Sequence, residues 1–575
     1  MSSLRSFGAP VAFALCDRAA VPLARHSMLA RDGSFRPRAQ RQKARSRIIH
    51  IVARQRPPRD QDHRPYRAGQ HGSTDHARPL FPWLTPSSVS GGYAGQNAPT
   101  GVNEGFTERR KATPMRDIVI LVGILALIPM ILRRPYIGVL VWTWIAILNP
   151  HREAFGFSTS LRPNLLIVLV TLIAFVISSE RKTWPGGKLA VGFVAFVGWT
   201  TLTALISPDR EASLEFYNDF VVKMAIHMVI LLIVINTPHR LISLVWTFAL
   251  SLGYHAVKIG LVTIYSGFVI GRYTGFGPAD TMIDDRNHFA VAVLMLAPIL
   301  FFLWKHADHK VMRNLAMAGM VMCFLAVIGS FSRGGMITMA AMMAFLWTKT
   351  NHKLASGLLI GILVFGAASF APSEYKARIS TTFEQFAGKD SAYEDENELD
   401  ESFCLRVANW QLGMDMAMDS PVFGHGLRSI QNKNIATDYL SEDHICSHKA
   451  KYRVRAAHNI YVEVVTDSGF PGLFLFLFVL VGSWLTCGRI SRMAKGRADL
   501  LWAHDLAAMM QVSITGYAIG GMLLSFAYYD GYFLIISMTI VLHRIVKEAV
   551  GEAEPRRGAA RPKRRQRSGG TVPAE

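Results

Sequence analysis

The sequence predicts an all-α polytopic integral membrane protein with about 12–13 transmembrane helices and one large periplasmic loop. Half of its 575 residues are hydrophobic and only 18% are charged, whereas a soluble chain usually carries about a quarter charged residues. Four windows without any charged side chain are each about as long as one membrane crossing requires. These windows are Leu189–Pro208, Asn287–Trp304, Phe470–Gly488 and Leu506–Tyr529. The composition therefore excludes a soluble enzyme and a disordered protein.

The first segment of the chain, residues 1–114, differs in composition from everything that follows. It holds 19 Lys and Arg against 7 Asp and Glu, which accounts for +12 of the formal net charge of +21. It is broken by prolines and glycines and has no apolar periodicity, so we expect a basic disordered extension. Because Met115 opens a sequence typical of a membrane-protein start, we interpret residues 1–114 as an over-long translation start. Membrane proteins keep basic residues on the cytoplasmic side, so the charge does not indicate binding to nucleic acid.

From Asp117 onward, thirteen apolar spans can be delimited. They cover approximately 118–132, 136–148, 164–178, 189–206, 221–235, 241–265, 288–304, 314–330, 335–347, 354–371, 470–487, 506–527 and 531–546. With a cytoplasmic C-terminus, the inner short loops hold fifteen Lys and Arg and the outer ones seven. This distribution agrees with the positive-inside rule.

One long outer connection, residues 372–469, interrupts the spans. It contains an acidic run, Glu394–Glu401, and then a predicted amphipathic helix from Phe403 to about Asp419, which turn signals at 420–426 follow. The expected organisation is a basic extension (1–114), an N-terminal transmembrane region (115–371), the periplasmic loop (372–469), C-terminal transmembrane helices (470–547) and a basic cytoplasmic tail (548–575). A long loop on a helical membrane body is a plan typical of membrane enzymes.

The first outer cluster of interest is Ser332–Gly335, which lies between two short apolar spans. An arginine at a membrane boundary, flanked by small residues, can leave its guanidinium and the nearby backbone N–H groups open to a ligand. Arginine meets phosphate groups with two parallel hydrogen bonds, so Arg333 is a candidate for binding phosphate or pyrophosphate. The alternative is an arginine at a tight turn whose side chain reaches for the membrane surface.

A second cluster lies in the long loop, where Arg406 and Trp410 are four residues apart and so share one helix face. The alternative interpretation is a surface helix whose tryptophan packs at the membrane interface.

The third cluster, His458–Glu463, lies where the chain re-enters the membrane. Histidine is the side chain most easily poised as a general base near neutral pH. Tyr461 and Glu463 follow closely enough on a helix to orient it. Because a single histidine is more often structural than catalytic, the two outer arginines are what favour a catalytic role for His458.

A weaker group combines 272–277, which begins with Arg272, with Asp284, Asp285 and Arg286. Paired aspartates are potential ligands for a divalent metal. Adjacent residues project in different directions, however, and Arg286 could neutralise them, so we do not predict a metal site.

The five cysteines show no metal-binding spacing. Only Cys404 and Cys446 share a polar region, where both would lie on the oxidising side of the membrane. A disulfide between them is therefore a hypothesis, since the sequence does not give their separation.

The order of these motifs resembles that of the O-antigen ligase and polymerase superfamily. The motifs are Ser-Arg-Gly-Gly at 332–335, Arg-x-x-x-Trp at 406–410, Pro-x-x-Gly-x-Gly at 421–426, His-Asn-x-Tyr-x-Glu at 458–463 and Gly-x-x-Gly at 469–472. The stretches RRPYIGVLVWTWIAILNPHR and DDRNHFAVAVLMLAPI are more specifically similar to O-glycosylation ligases associated with exosortase A protein-sorting systems. The resemblance spans roughly residues 115–550.

The resemblance implies an inverting, metal-independent glycan transfer at the periplasmic face of the bacterial inner membrane, with no cofactor. The donor in that family is a glycan on undecaprenyl pyrophosphate. By position, Arg333 and Arg406 match the two arginines that bind pyrophosphate, and His458 matches the proposed catalytic base. The residues expected to support them are Trp410, Asn459, Tyr461, Glu463, Arg272 and Arg286. The expected partners are the lipid-linked donor, membrane lipids and an acceptor that is a protein, a polysaccharide or a lipid.

Two other functions stay open at this point. A polysaccharide polymerase, which joins lipid-linked repeat units, would use the same chemistry and carry the same motifs. A transporter or flippase for lipid-linked sugars belongs to a different class and would show charged residues throughout its spans and repeated halves. Here most candidate residues cluster on one face, and no repeat is visible.

Overall fold

The computed structural model describes residues 115–152, 158, 162–265, 276–349, 353, 357, 401–441, 444 and 456–553, and every regular element in these ranges is a helix. The helices are α1 (Met115–Arg133), α2 (Pro135–Leu148), α3 (Pro163–Ile177), α4 (Lys188–Ile206), α5 (Arg210–Phe216), α6 (Val222–Val234), α7 (Pro238–Tyr265), α8 (Arg286–His306), α9 (Lys310–Gly329), α10 (Arg333–Lys349), α11 (Glu401–Asp419), α12 (Lys433–Ala436), α13 (Ile460–Ala494), α14 (Leu501–Gly520) and α15 (Asp530–Ala553). The predicted all-α fold is confirmed.

The predicted spans agree with these helices except where the structure is not described. Twelve of the thirteen predicted spans coincide with a helix, and the span at 354–371 lies, apart from residue 357, outside the described residues. Within the described ranges, eight helical units are long and apolar enough to cross a membrane, and α2 and α3 are shorter apolar helices. The protein is therefore a polytopic membrane protein.

Proline marks the beginning of several helices. Pro135, Pro163 and Pro238 are the first residues of α2, α3 and α7. A proline at this position sacrifices no helical hydrogen bond, and its fixed φ already suits the helix. The sequence therefore determines where these helices begin, before any packing is considered.

The bundle has two distinguishable ends, and α8 runs between them. At its last turn, His306 Nε2 lies 2.7 Å from Asp505 Oδ2, and Lys305 Nζ lies 2.8 Å from the same oxygen. These contacts join the end of α8 to the beginning of α14. Helices α8, α10 and α13 begin at the other end of the bundle.

The structure corrects the beginning of the span predicted at 470–487. Helix α13 begins at Ile460 and contains a kink at Gly469, where φ is +66°. The polar residues of its first turns, including Glu463 and Asp467, are buried in the protein. Their polarity therefore does not mark a loop, because these side chains bond to groups inside the protein.

The predicted end of the span at 506–527 is also wrong, since α14 ends at Gly520. The chain continues through a 3₁₀ turn, Gly521–Leu523, into a non-helical segment before α15. Side chains satisfy this backbone: Glu463 Oε2 accepts a hydrogen bond from the Ala527 N–H at 3.0 Å, and the Tyr517 hydroxyl donates to the Phe526 carbonyl at 2.8 Å. Non-helical backbone in a membrane protein requires such partners inside the protein.

Candidate functional site

Arg333 stands at the beginning of α10, directly after a backbone reversal. Phe331 has a φ of +52°, which non-glycine residues rarely adopt. The buried Ser332 then caps the helix, because its hydroxyl accepts a hydrogen bond from the Gly335 N–H at 3.0 Å. Gly335 brings α10 close to α8, since a Cβ at this position would lie 2.7 Å from the Cβ of Ala290. Gly335 therefore serves close helix packing, and Ser332 serves as the cap.

His458 stands at the beginning of α13, again at a backbone reversal, with a φ of +49°. The next residue, Asn459, caps α13 by accepting hydrogen bonds from the N–H groups of Tyr461 and Val462 at 2.9 and 3.4 Å. The backbone N–H of His458 donates to Ser525 Oγ at 2.8 Å. His458 is thus held between a helix cap and the non-helical segment that precedes α15.

Tyr461 connects α13 to α14, and Glu463 connects α13 to the segment between α14 and α15. The Tyr461 hydroxyl donates to the Ala518 carbonyl at 3.0 Å, and the Glu463 carboxylate accepts from the Ala527 N–H. These bonds fix the first turns of α13. Whether these side chains also orient the imidazole of His458 stays a prediction.

The first turn of α8 lies between the two backbone reversals. Asp285 caps this helix by accepting from the Asn287 and His288 N–H groups. Asn287 Oδ1 accepts a hydrogen bond from the Ser332 hydroxyl at 2.8 Å. His288 Nε2 lies 3.0 Å from the Ser525 carbonyl oxygen. The beginning of α8 is therefore bonded to Ser332, beside Arg333, and to Ser525, which binds the His458 backbone.

The electrostatics of this turn depend on Asp285. Burial alone raises the pKa of its carboxyl, but the hydrogen bond from His288 and those from the backbone N–H groups outweigh burial and lower that pKa well below its usual range. The ionised carboxylate lies 3.3 Å from His288 Nδ1. In the neighbouring Asp284, burial raises the carboxyl pKa. In the described ranges no three His, Cys, Asp or Glu side chains gather as metal ligands would.

Arg406 and Trp410 lie on α11, which docks against α13. Gly413 allows this approach, since a Cβ there would lie 2.6 Å from Val462 Cγ1, and the Thr466 hydroxyl donates to the Gly413 carbonyl at 3.0 Å. Trp410 packs on a buried apolar cluster. The cluster consists of Leu412, Met416, Ile430, Ala436, Ala457 and Val462. Because Ala457 precedes His458, α11 is docked next to the candidate base, with the partly buried Arg406 one turn before Trp410.

The turn after α11 fixes that docking through the backbone. Gly424 has a φ of +67° and lies directly on the kink of α13. The next N–H groups, of His425 and Gly426, donate to the carbonyls of Thr466 and Asp467 at 2.8 and 3.0 Å. The glycine motif of the sequence therefore joins α11 to α13.

Two polar side chains brace the same turn. His425 Nε2 lies 3.0 Å from the Tyr439 hydroxyl, which donates to Asp419 Oδ2 at 2.7 Å. Burial lowers the pKa of His425, and the hydrogen bond to Asp419 raises the pKa of Tyr439 to about 12. Both groups are therefore neutral near pH 7.

A glycine substitution tests this docking. We expect Gly424→Ala to lower the free energy of unfolding by about 2–4 kcal/mol, because φ is positive and the new Cβ would lie 2.6 Å from backbone atoms of Thr466, Asp467 and Ser468. Gly186→Ala is the matched control, since Gly186 has a φ of +65° but open space around it. Thermal unfolding of the purified protein measures both. Equal effects of the two substitutions would contradict the close contact.

Some predicted residues are placed only in part or not at all. Arg272 and Cys446 lie outside the described residues, as does the acidic run apart from Glu401. Cys404 is buried and disulfide-bonded, and its pairing with Cys446 stays a prediction. Arg286 is the first residue of α8 and is partly buried. Ser525 was not predicted from the sequence, because it falls in an apolar window that looks like a continuous span.

Two protein families match separate parts of the chain. A family described as O-antigen ligase matches residues 318–477, and a family of unknown function (DUF5935) matches residues 115–308. No curated protein matches the chain. The O-antigen ligase segment includes Arg333, Arg406 and His458, in agreement with the resemblance noted in the sequence. The match over residues 318–477 therefore supports the O-antigen ligase superfamily for this part of the chain.

Proposed function

We propose that this protein transfers a glycan from an undecaprenyl-pyrophosphate carrier to an acceptor hydroxyl at the periplasmic face of the bacterial inner membrane. The O-antigen ligase segment supports a membrane glycan-transfer function. The observation that carries the finer proposal is that Arg333 and His458 stand at the beginnings of two helices at one end of the bundle. The first turn of α8 is bonded there to Ser332, which precedes Arg333, and to Ser525, which binds the His458 N–H. Arg406 lies on the helix that docks beside His458.

In the proposed reaction, His458 acts as the base, and Arg333 and Arg406 stabilise the leaving group. A ring nitrogen of His458 takes the proton of the acceptor hydroxyl while the hydroxyl oxygen attacks the anomeric carbon of the donor. The bond from that carbon to the pyrophosphate oxygen breaks, and its electron pair leaves with the pyrophosphate. The guanidinium groups of Arg333 and Arg406 stabilise the negative charge that grows there. Attack opposite the leaving group inverts the anomeric centre.

The acceptor distinguishes the main proposal from its nearest alternative. A ligase moves the glycan to a protein, polysaccharide or lipid acceptor, whereas a polymerase adds it to another lipid-linked unit. The resemblance to exosortase-associated O-glycosylation ligases makes a protein hydroxyl the first acceptor to test.

The decisive experiment is transfer in vitro from a purified lipid-linked glycan, with a protein, a polysaccharide and a lipid core offered separately. Glycan on one of these acceptors supports a ligase, and longer chains on the carrier lipid support a polymerase. Movement of the intact donor across a vesicle membrane without any transfer would instead establish a flippase. That result would refute the proposed reaction.

Transfer is expected to survive removal of divalent metals. Two arginines supply the positive charge that a metal would otherwise provide, and Asp285 already caps α8 and holds His288. Initial rates with and without a chelator measure this. Strong inhibition that Mg²⁺ reverses would contradict the proposal and would return Asp284 and Asp285 to consideration as ligands.

A further inference from the structure

We propose that the first turn of α8 positions the two halves of the site, with Asn287 aligning the beginning of α10 at Arg333 and His288 aligning His458 through Ser525. The inference rests on the proposed function for the roles of Arg333 and His458. Asn287 and His288 are positioning residues in this proposal, because each acts through another residue and neither needs to touch the substrate.

The Asn287 connection passes through one buried hydroxyl. Ser332 is only 1% exposed, and its hydroxyl donates to Asn287 Oδ1 at 2.8 Å while accepting from the Gly335 N–H at 3.0 Å. The Ser332 hydroxyl has a single hydrogen, which the bond to Asn287 uses. This bond therefore fixes the direction in which the hydroxyl oxygen can accept the Gly335 N–H. Since Arg333 is the next residue, Asn287 sets where the guanidinium side chain leaves the backbone.

The His288 connection passes through both polar groups of Ser525. His288 Nε2 bonds to the Ser525 carbonyl at 3.0 Å, and Ser525 Oγ accepts from the His458 N–H at 2.8 Å. The imidazole of His288 is itself held on two sides, by Asp285 at Nδ1 and by an edge-to-face contact with Phe526 at a centroid distance of 5.0 Å. Ser525 is therefore fixed relative to α8, and His458 is fixed relative to Ser525.

Backbone conformation gives an independent reason for such positioning. Phe331, which precedes Ser332, and His458 both have left-handed φ values, of +52° and +49°. Such values at non-glycine residues persist only where the surrounding structure holds them. Ser332, next to the first residue, and Ser525, which binds the second, are both bonded to the first turn of α8. This turn is therefore well placed to hold both conformations.

The proposal also gives a role to the segment of unknown function. Asn287 and His288 lie in the matched range 115–308, whereas Arg333 and His458 lie in the O-antigen ligase range 318–477. In this proposal, the first segment supplies the turn that sets the spacing of the ligase site. The two family segments would then form one functional unit.

The experiment compares donor binding with turnover in purified full-length variants. Asn287→Ala should weaken binding of undecaprenyl pyrophosphate about tenfold, with turnover at saturating donor changed less than about twofold. His288→Ala should lower turnover about tenfold and leave binding of the same probe unchanged. His288→Gln should recover most of the turnover, because the amide N–H can still donate to the Ser525 carbonyl. Asp280→Asn, at an exposed residue in the preceding loop, is the control and should change neither quantity.

Hydrogen exchange gives a second measurement that needs no activity. Asn287→Ala should speed exchange in peptides that contain the Gly335 amide. His288→Ala and Ser525→Ala should each speed exchange in peptides that contain the His458 amide. In the His458→Gln background, His288→Ala should cause no further loss of turnover, since its effect passes through that imidazole.

The outcomes test the positioning role of Asn287 and His288 separately from the proposed function. If the wild-type protein neither binds the probe nor transfers glycan, the function is refuted, and the exchange pattern alone supports or overturns the positioning. Unchanged exchange at both amides would overturn it. Proportional loss of binding and turnover in both alanine variants would also overturn it, since general destabilisation of α8 would act in that way.

Discussion

Arg406→Ala and Arg333→Ala are each expected to lower glycan transfer by about 10²–10³-fold, the usual loss when one fixed donor to a developing negative charge is removed. Pyrophosphate leaves with its charge concentrated on the departing oxygens, and a guanidinium meets two of them at once. Arg406→Lys and Arg333→Lys should recover little, because the ammonium group lacks that paired geometry. Initial rates with a lipid-linked donor measure the loss.

The control for these variants lies at the other end of the bundle. Arg497 forms an ion pair with Asp499 after the end of α13, so Arg497→Ala should leave transfer unchanged while removing the same charge from the protein. Binding of undecaprenyl pyrophosphate should weaken in Arg333→Ala and Arg406→Ala but not in Arg497→Ala. Full activity in either site variant, with the protein correctly inserted, would refute the assignment of that arginine to the pyrophosphate.

Much of the fold follows from local properties of the sequence. The apolar spans are helices because a membrane leaves the backbone few other ways to satisfy its hydrogen bonds. Prolines such as Pro135 and Pro163 mark helix beginnings for a steric reason that needs no tertiary context. The boundaries that were wrong, at Ile460 and Gly520, depend on long-range partners. Glu463 and Ala527 form a hydrogen bond although they are 64 positions apart. Neither local polarity nor the length of an apolar segment predicts that contact.

The candidate site was predictable as single motifs but not as an arrangement. Arg333 was indicated by the glycines that follow it, and His458 by its place where the chain re-enters the membrane. Their common link through Asn287 and Ser525 could not be predicted, because it consists of tertiary hydrogen bonds between segments 45 and 67 positions apart. The sequence singled out the adjacent Asp284 and Asp285, which were considered as metal ligands without a metal site being predicted. The structure instead places Asp285 as a helix cap.

His458→Gln is expected to lower turnover by about 10²–10⁴-fold, the usual contribution of general base catalysis. Glutamine keeps a polar side chain of similar reach but cannot take a proton near neutral pH. Donor binding should survive, because the arginines hold the pyrophosphate independently of the imidazole. In the wild-type protein, transfer should fall toward acid pH, because an imidazolium cannot accept the proton of the acceptor hydroxyl.

The competing explanation is that His458 only supports the beginning of α13, where its φ of +49° and its bond to Ser525 make it a structural element as well. A structural role predicts that His458→Gln loses thermal stability, donor binding and transfer together. A catalytic role predicts that only transfer falls, and that the acid limb of the pH profile disappears from the residual activity. His309→Gln is the matched control, since His309 is exposed at the opposite end of the bundle, before α9. Normal transfer in purified His458→Gln would refute the base role, because no proton acceptor would then be needed at that position.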